Sequence, residues 1–273
     1  MHQFEGQSVF HVSVFSGNYG GKIHAGTEAL VFLENESLTS EQMQSIAQRK
    51  DIAATCFVWP SEQPQHFNIR FFNPQTEIQL CGHALLAAAR VLYEEHSKQS
   101  TDANPIEFIT QSSHINTKID TNHQVWIGFD PIAIEPTAIP VWAEDCCNIA
   151  PVSASKVGPS NGYWIFEWPE GFDLTELAID FDKLTFATER ALIATTRSQV
   201  KGFDYDLRYF APQHGVNEDK ATGSANRVLA SYWKSKLNQS KFKARQLSAE
   251  GAVIEVECEG GKVWISGKVT INA

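Results

Sequence analysis

Two short stretches hold residues able to move protons: Cys81-Gly82-His83, which opens an otherwise apolar run to Leu92, and Glu218-Asp219-Lys220-Ala221-Thr222-Gly223-Ser224. An imidazole and a carboxylate can relay a proton without a metal or an organic cofactor, help worth about 10²–10⁴-fold in rate. A thiol at a helix start is a third candidate base, because the helix dipole favours the thiolate. Gly82 and Gly223 would open the two helices, leaving unpaired backbone N–H groups and a partial positive charge suited to a carboxylate or phosphate. Taken singly, each residue has an ordinary structural reading. His83 could be a hydrogen-bonded helix-start histidine, Asp219 a partner of the dipole, and Cys81 a small buried apolar residue.

An internal repeat joins them. Residues 67–74 read FNIRFFNP and residues 205–212 read YDLRYFAP, so Arg70 and Arg208 stand 138 residues apart. Val125-Trp126-Ile127 returns as Val263-Trp264-Ile265 at the same offset of 138. The chain is therefore expected to be a single duplication of one α/β module, residues 1–130 and 131–273, with the site in a cleft between them. In each half a strand stopped by proline leads through a turn to a small-residue helix start. The first helix, Gly82 to Leu92, is apolar around almost its whole circumference, which predicts burial on most sides. Strands such as VFHVSVF, FNIRFF and AVIEVEC would wrap such helices. The expected fold class is α+β: two pseudo-symmetric domains, each a curved mixed β-sheet around a central helix.

Other elements follow from local signals. Thr39 and Gln42 occupy capping-box positions for a helix running to about Lys50. Residues 96–105 read as a polar linker. The three prolines of residues 131–140 resist regular structure and mark the crossing between halves. Arg70 and Arg208, each in a strand with alternating apolar neighbours, favour structural ion pairs over carboxylate anchors.

Composition excludes several classes. With 273 residues, 42% hydrophobic content and a net charge of −10 spread along the chain, no basic face is offered to nucleic acid. No apolar run reaches the roughly 18–20 residues of a membrane span, and Met1 to Phe15 lacks the apolar core of a secretion signal. Cys56, Cys81, Cys146, Cys147 and Cys258 are odd in number and show no paired spacing, which reads as reduced thiols in a cytoplasmic protein. The nine histidines form no H-x-H or HExxH pair, so no metal is expected. The Gly17–Lys22 segment fails the phosphate-loop spacing and reads as a glycine-rich turn.

The strings RFFNPQTEIQLCGHALLAAARVL and LRYFAPQHGVNEDKATGSANRVLASYW resemble the two signature regions of the PhzF-like phenazine-biosynthesis family, and the likeness runs from HVSVF to the ARQLS–VWISG tail. The resemblance implies a diaminopimelate-epimerase-like fold, an active site between two domains, no cofactor, a homodimer, and isomerisation of a small carboxylic acid by proton transfer. His83 matches the family's GHAT histidine, Asp219 the acid of its E-D-P-A-T-G-S motif, and Ser224 that motif's serine. Gly82, Thr222, Gly223 and Ser224 match its substrate-holding segments. Cys81 stands where related epimerases keep one of two thiols, and the second thiol is absent.

The departures are as informative. Where the family carries the proton-shuttling glutamate of a Glu-Thr-x-Phe segment, this chain has Ala54 in Asp51-Ile52-Ala53-Ala54-Thr55-Cys56-Phe57. Gly20-Gly21-Lys22-Ile23-His24 replaces the family's G-N-P-A-A loop, and Lys220 replaces a proline. Three functions stand on these residues: a cofactor-independent isomerase or epimerase, a non-catalytic binder of a small carboxylate, and chemistry led by the Cys81 thiol. Asp51, Cys56 or a water are the candidates to replace the missing carboxylate.

Overall fold

Alternating apolar side chains generate strands through most of this chain, and two apolar helices give those strands something to wrap. The computed structural model describes residues 8–50, 52–97 and 105–272. Two compact units emerge: the first comprises residues up to Phe129 together with those from Trp264, and the second runs Asp130–Val263.

Unit 1 contains β1 (Ser8–Tyr19), β2 (Lys22–His24), β3 (Thr27–Leu33), α1 (Ser40–Lys50), β4 (Thr55–Pro60), β5 (His66–Phe72), β6 (Glu77–Ile78), α2 (Gly82–Ser97), β7 (Glu107–Ile109), β8 (His114–Ile119) and β9 (Val125–Phe129). Unit 2 contains β10 (Ile134–Thr137), α3 (Ala143–Cys146), β11 (Ser153–Val157), β12 (Tyr163–Glu167), α4 (Phe181–Ala187), β13 (Ala191–Arg197), β14 (Tyr205–Phe210), α5 (Gly223–Leu237), β15 (Lys241–Gln246) and β16 (Ala252–Glu259). The boundary falls within β17 (Lys262–Ser266), and β18 (Lys268–Asn272) belongs to unit 1.

The two units repeat one topology. In unit 1, β3 runs parallel to β4 across α1, β4 is antiparallel to β5, and β5 is parallel to β7 across α2. In unit 2, β12 is parallel to β13 across α4, β13 is antiparallel to β14, and β14 is parallel to β15 across α5. The fold class is α+β, with a mixed sheet and a central helix in each unit. Trp264 onward, expected in the second half, groups with unit 1 because β18 pairs antiparallel with β1, His11 opposite Asn272.

Each sheet has two faces with different duties. The outer face of unit 1 packs Met43 and Ala47 of α1 on Leu30, Phe32, Phe57 and Phe72. The capping box of α1 forms as expected: Thr39 N–H donates to Gln42 Oε1 at 2.8 Å and Gln42 N–H to Thr39 Oγ1 at 3.3 Å. The inner face wraps α2, which packs on β1, β3, β4, β9 and β18 and buries Ala84 through Ala89, Val91 and Leu92 completely. In unit 2 an aromatic cluster of Trp164, Phe166, Trp168 and Phe210 lies under α3 and α4, while α5 packs on β10 and β16. AVIEVEC is thus a wall for α5, and VFHVSVF a wall for α2.

Two expectations about irregular segments change. The proline-rich crossing carries β10, in which Pro136 sits opposite Ser155 of β11. Proline fits a strand only where its position requires no N–H donor to the ladder. Of the expected linker at 96–105, Ser97 ends α2 and residues 98–104 lie outside the described residues. The Gly17–Lys22 segment is the β1–β2 hairpin, turned at Gly20 and Gly21, both at positive φ. Gly26 (φ +71°) lies against the irregular pairing at Phe15, where an added Cβ would sit 2.1 Å from the Val14 carbonyl oxygen.

Candidate functional site

The first turn of α2 is partly open to solvent, while Ala84 through Ala89 behind it are sealed in unit 1. Leu85 N–H donates to Cys81 O at 2.9 Å, closing that first turn, and Gly82 and His83 remain partly exposed. Cys81 Sγ lies 3.5 Å from both ring nitrogens of His83. Burial opposes a charge on this imidazole, but the field of Cys81 and its hydrogen bond outweigh burial, so His83 holds its proton above the ordinary imidazole range. Cys81 and His83 therefore form a thiol–imidazole pair at a helix start.

The position of the family's glutamate is Ala54, which carries no carboxylate. Ala54 is fully buried, and its carbonyl accepts the Leu30 N–H at 2.9 Å. Strand alternation places it on the face of Cys56, whose Sγ donates to the Ala84 carbonyl of α2 at 3.7 Å. Burial pushes the Cys56 thiol well up, and neighbouring Cys81 pushes it further. Cys56 is a packed thiol directed at the backbone of α2. Asp51 lies outside the described residues.

The second group stands at the start of α5 in unit 2. Thr222 is the cap residue, with extended backbone (φ −114°, ψ 100°), but its side chain makes no capping hydrogen bond to the helix. Its hydroxyl donates to Asp219 Oδ2 at 2.6 Å instead. The α5 start thus keeps first-turn N–H groups uncapped by a side chain. Ser224 is partly exposed, and its hydroxyl has no hydrogen-bond partner among the described residues.

Burial drives the Asp219 carboxyl above the usual carboxylate range, against the pull of the Thr222 hydroxyl and of the Lys220 and Ala221 N–H groups, while Glu218 adds to the rise. A carboxyl whose burial favours the neutral form, yet which is held by three donors, has the means both to deliver and to accept a proton. Nearby Tyr209 is likewise kept protonated, chiefly by burial and then by Tyr163 and Asp219.

Thr222, expected among the substrate-holding residues, bonds within unit 2. Its N–H is committed to Gln246 Oε1 at 2.7 Å and its hydroxyl to Asp219, so both donors point into the protein. Around it runs a buried polar chain. Gln246 Nε2 donates to Asp219 O at 2.8 Å and to Thr222 Oγ1 at 3.0 Å. Asn226 Nδ2 donates to Thr222 O at 2.9 Å, and Tyr205 Oη donates to Asn226 Oδ1 at 2.8 Å. Gln246, Asn226 and Tyr205 have no exposed surface. Sequence reasoning passed over all three. A signal existed in β15, where Phe242, Ala244 and Gln246 line the buried face and an apolar residue is due at the third position.

The repeated arginines are structural in both units. Arg70 makes a two-pronged pair with Glu77 (2.7 and 2.6 Å) and lies 5.3 Å over the Phe72 ring. Arg208 does the same with Glu218 (2.7 and 2.8 Å) over Phe210 at 4.8 Å. Cys146 and Cys147 are buried in the aromatic cluster of unit 2, with burial the main cause of both thiols titrating high and Cys147 pushed up to about 12. Among the described residues no group of three or more His, Cys, Asp or Glu is arranged to hold a metal, and no helix is long and apolar enough to cross a membrane.

The sequence profile of a family described as phenazine biosynthesis-like protein (PhzC-PhzF) matches residues 12–135 and 151–272. An uncharacterized isomerase of Pseudomonas aeruginosa is 32% identical over 265 residues, covering 97% of this chain and 96% of the relative. An uncharacterized isomerase of Halalkalibacterium halodurans is 30% identical over 244 residues, 89% of each chain. The crystal structure of a PhzF-family phenazine biosynthesis protein from Enterococcus faecalis superposes with a TM-score of 0.83 at 26% identity, covering 97% of this chain and 96% of that one.

Proposed function

The chain belongs to the phenazine biosynthesis-like family of isomerases and epimerases, and on that premise we propose that it moves a proton on a small carboxylic acid without metal or organic cofactor. The observation that carries this reading is Asp219. Its carboxyl is buried at a helix start, bonded by Thr222 and driven above its ordinary range. His83 supplies the second proton-handling group, and Cys81 stands in hydrogen-bond reach of both its nitrogens. With Ala54 unable to transfer a proton and Cys56 turned to the Ala84 carbonyl, the Cys81–His83 pair is, among the described residues, our candidate in unit 1 for the missing carboxylate's work. Backbone N–H groups at each helix start, Gly82 in unit 1 and Gly223 and Ser224 in unit 2, the last with its hydroxyl, are the donors offered to a substrate carboxylate. The same reading makes the protein a cytoplasmic homodimer, checked in solution by light scattering.

The test is solvent-deuterium incorporation at carbon, followed by NMR in a panel of small amino, hydroxy and unsaturated acids. His83→Ala and Asp219→Ala are each expected to lower the exchange rate at least about 10²-fold. Full exchange in both variants would overturn the assignment. Ala54 favours a second reading, a carboxylate binder without turnover, which predicts saturable binding of one of these acids with no deuterium entering carbon.

A further inference from the structure

The buried polar chain in unit 2 has a direction, and the direction depends on one amide. Thr222 N–H can only donate, so the oxygen of the Gln246 amide must face it, at 2.7 Å. The amide nitrogen then faces two acceptors, the Asp219 carbonyl at 2.8 Å and Thr222 Oγ1 at 3.0 Å, and it has two hydrogens to give. Because Thr222 Oγ1 receives a hydrogen from the amide, its own single hydrogen points onward to Asp219 Oδ2 at 2.6 Å. An apolar residue at 246 would leave the Thr222 N–H without its partner and the Asp219 carbonyl without its donor. A carboxylate there would attract the hydroxyl proton away from Asp219.

We propose that Gln246 is the positioning residue of the site: it anchors the backbone at Asp219 and Thr222, orients the Thr222 hydroxyl, and so directs a hydrogen bond onto the Asp219 carboxyl. Two further observations support the assignment. Gln246 is fully buried on the inner side of β15, where the alternation Phe242, Ala244 calls for an apolar side chain, so the amide is kept against the cost of burying it. The matching place in unit 1 does not repeat it. Asn68 faces Ile109 across β5 and β7, so continuing the register sets Thr110 where Gln246 stands, and the Thr110 hydroxyl turns to the Ser113 carbonyl at 2.8 Å. The lock belongs to the half that carries the acid.

This rests on the reading of Asp219 as a proton-handling group, and it is tested without a substrate. In protein labelled with carboxyl-¹³C aspartate, the Asp219 signal is assigned by its loss in Asp219→Asn and titrated by NMR. Thr222→Val removes the donor, and Gln246→Met removes the amide at nearly constant volume. Each is expected to raise the Asp219 midpoint by about one pH unit or more, as loss of a hydrogen bond to a charged group implies. Thr222→Ser is expected to keep the wild-type midpoint, and the double variant Gln246→Met/Thr222→Val to move it no further than either single change. In the unaltered protein, the Gln246 side-chain amide signals should shift with the Asp219 midpoint and stop doing so in Asp219→Asn, a readout that stands even where Gln246→Met does not fold. An unchanged Asp219 midpoint in folded Gln246→Met, or Gln246 amide signals blind to the titration, overturns the proposal. Deuterium exchange surviving in Asp219→Ala would instead overturn the functional reading, while the NMR result still decides the role of Gln246.

Discussion

Removing Arg208 should cost more stability than removing its repeat partner Arg70, although both clamp a glutamate and cover a phenylalanine. The pairs themselves are nearly equal. Arg208 and Glu218 side chains are 15% and 22% exposed, Arg70 and Glu77 17% and 27%. The difference lies in the rest of the guanidinium. Arg208 Nη1 also donates to the carbonyls of Leu174 at 3.0 Å and Leu177 at 2.6 Å, whereas Arg70 Nη2 has one further bond, to the exposed Ser40 hydroxyl at 2.9 Å. Breaking a well-buried pair by deleting one partner costs roughly 3–5 kcal/mol and an exposed one about 0–1 kcal/mol. Partial exposure puts both clamps between these limits, at about 2 kcal/mol for Arg70→Ala. Two abandoned carbonyls should add about 1–2 kcal/mol for Arg208→Ala. Guanidinium unfolding followed by tryptophan fluorescence would compare them, Trp164 and Trp168 reporting on unit 2 and Trp59 and Trp126 on unit 1. Equal losses, or losses below about 1 kcal/mol in both, would show that these are ordinary surface ion pairs and refute the reasoning. If the arginines instead anchored substrate, carboxylate affinity would fall while the unfolding midpoints stayed put.

Cys81→Ala should lower the His83 proton affinity, because burial alone then remains to act on the imidazole. With His83 held above its unfolded value, its stabilising contribution is complete in acid, below about pH 6.5, and fades as pH rises through the folded value. The variant should lose that acid-side gain, read as urea midpoints across the pH range together with the imidazole NMR titration. Gly26→Ala should destabilise unit 1 by about 3 kcal/mol or more, since positive φ and a 2.1 Å approach to the Val14 carbonyl act together; a thermal midpoint within a degree or two of the parent would contradict this.

Much of the site was legible before any coordinates. The paired helix starts at Gly82 and Gly223 follow from small residues, apolar bodies and the repeat, and the capping box at Thr39 and Gln42 is a purely local pattern. Thr222 shows where legibility stops. A threonine before a helix reads as a cap, and only the position of Asp219, set by its N–H bond to the Tyr209 carbonyl at 3.0 Å, turns the hydroxyl away. Gln246 was hidden for a related reason. A glutamine among lysines and arginines in KFKARQ reads as solvent-facing, and its partners lie 24 and 27 residues away in sequence. Strand β10 was missed because proline content outweighed alternation, yet Pro136 is carried in the pairing with β11 opposite Ser155.

The return of β18 to β1 sets an order of assembly. The strands packed on α5, β10 and β16, both lie in one continuous stretch, Asp130–Val263, so this half comes from a single run of chain. Unit 1 does not: β1 pairs with β3 on one side and with β18 on the other, joining His11 to Asn272. On the ribosome the half synthesised first must wait with an open strand edge until the half synthesised second is finished. The earlier-born module is therefore the later to close, and its unpaired β1 edge is where a stalled nascent chain would be most exposed to wrong strand partners.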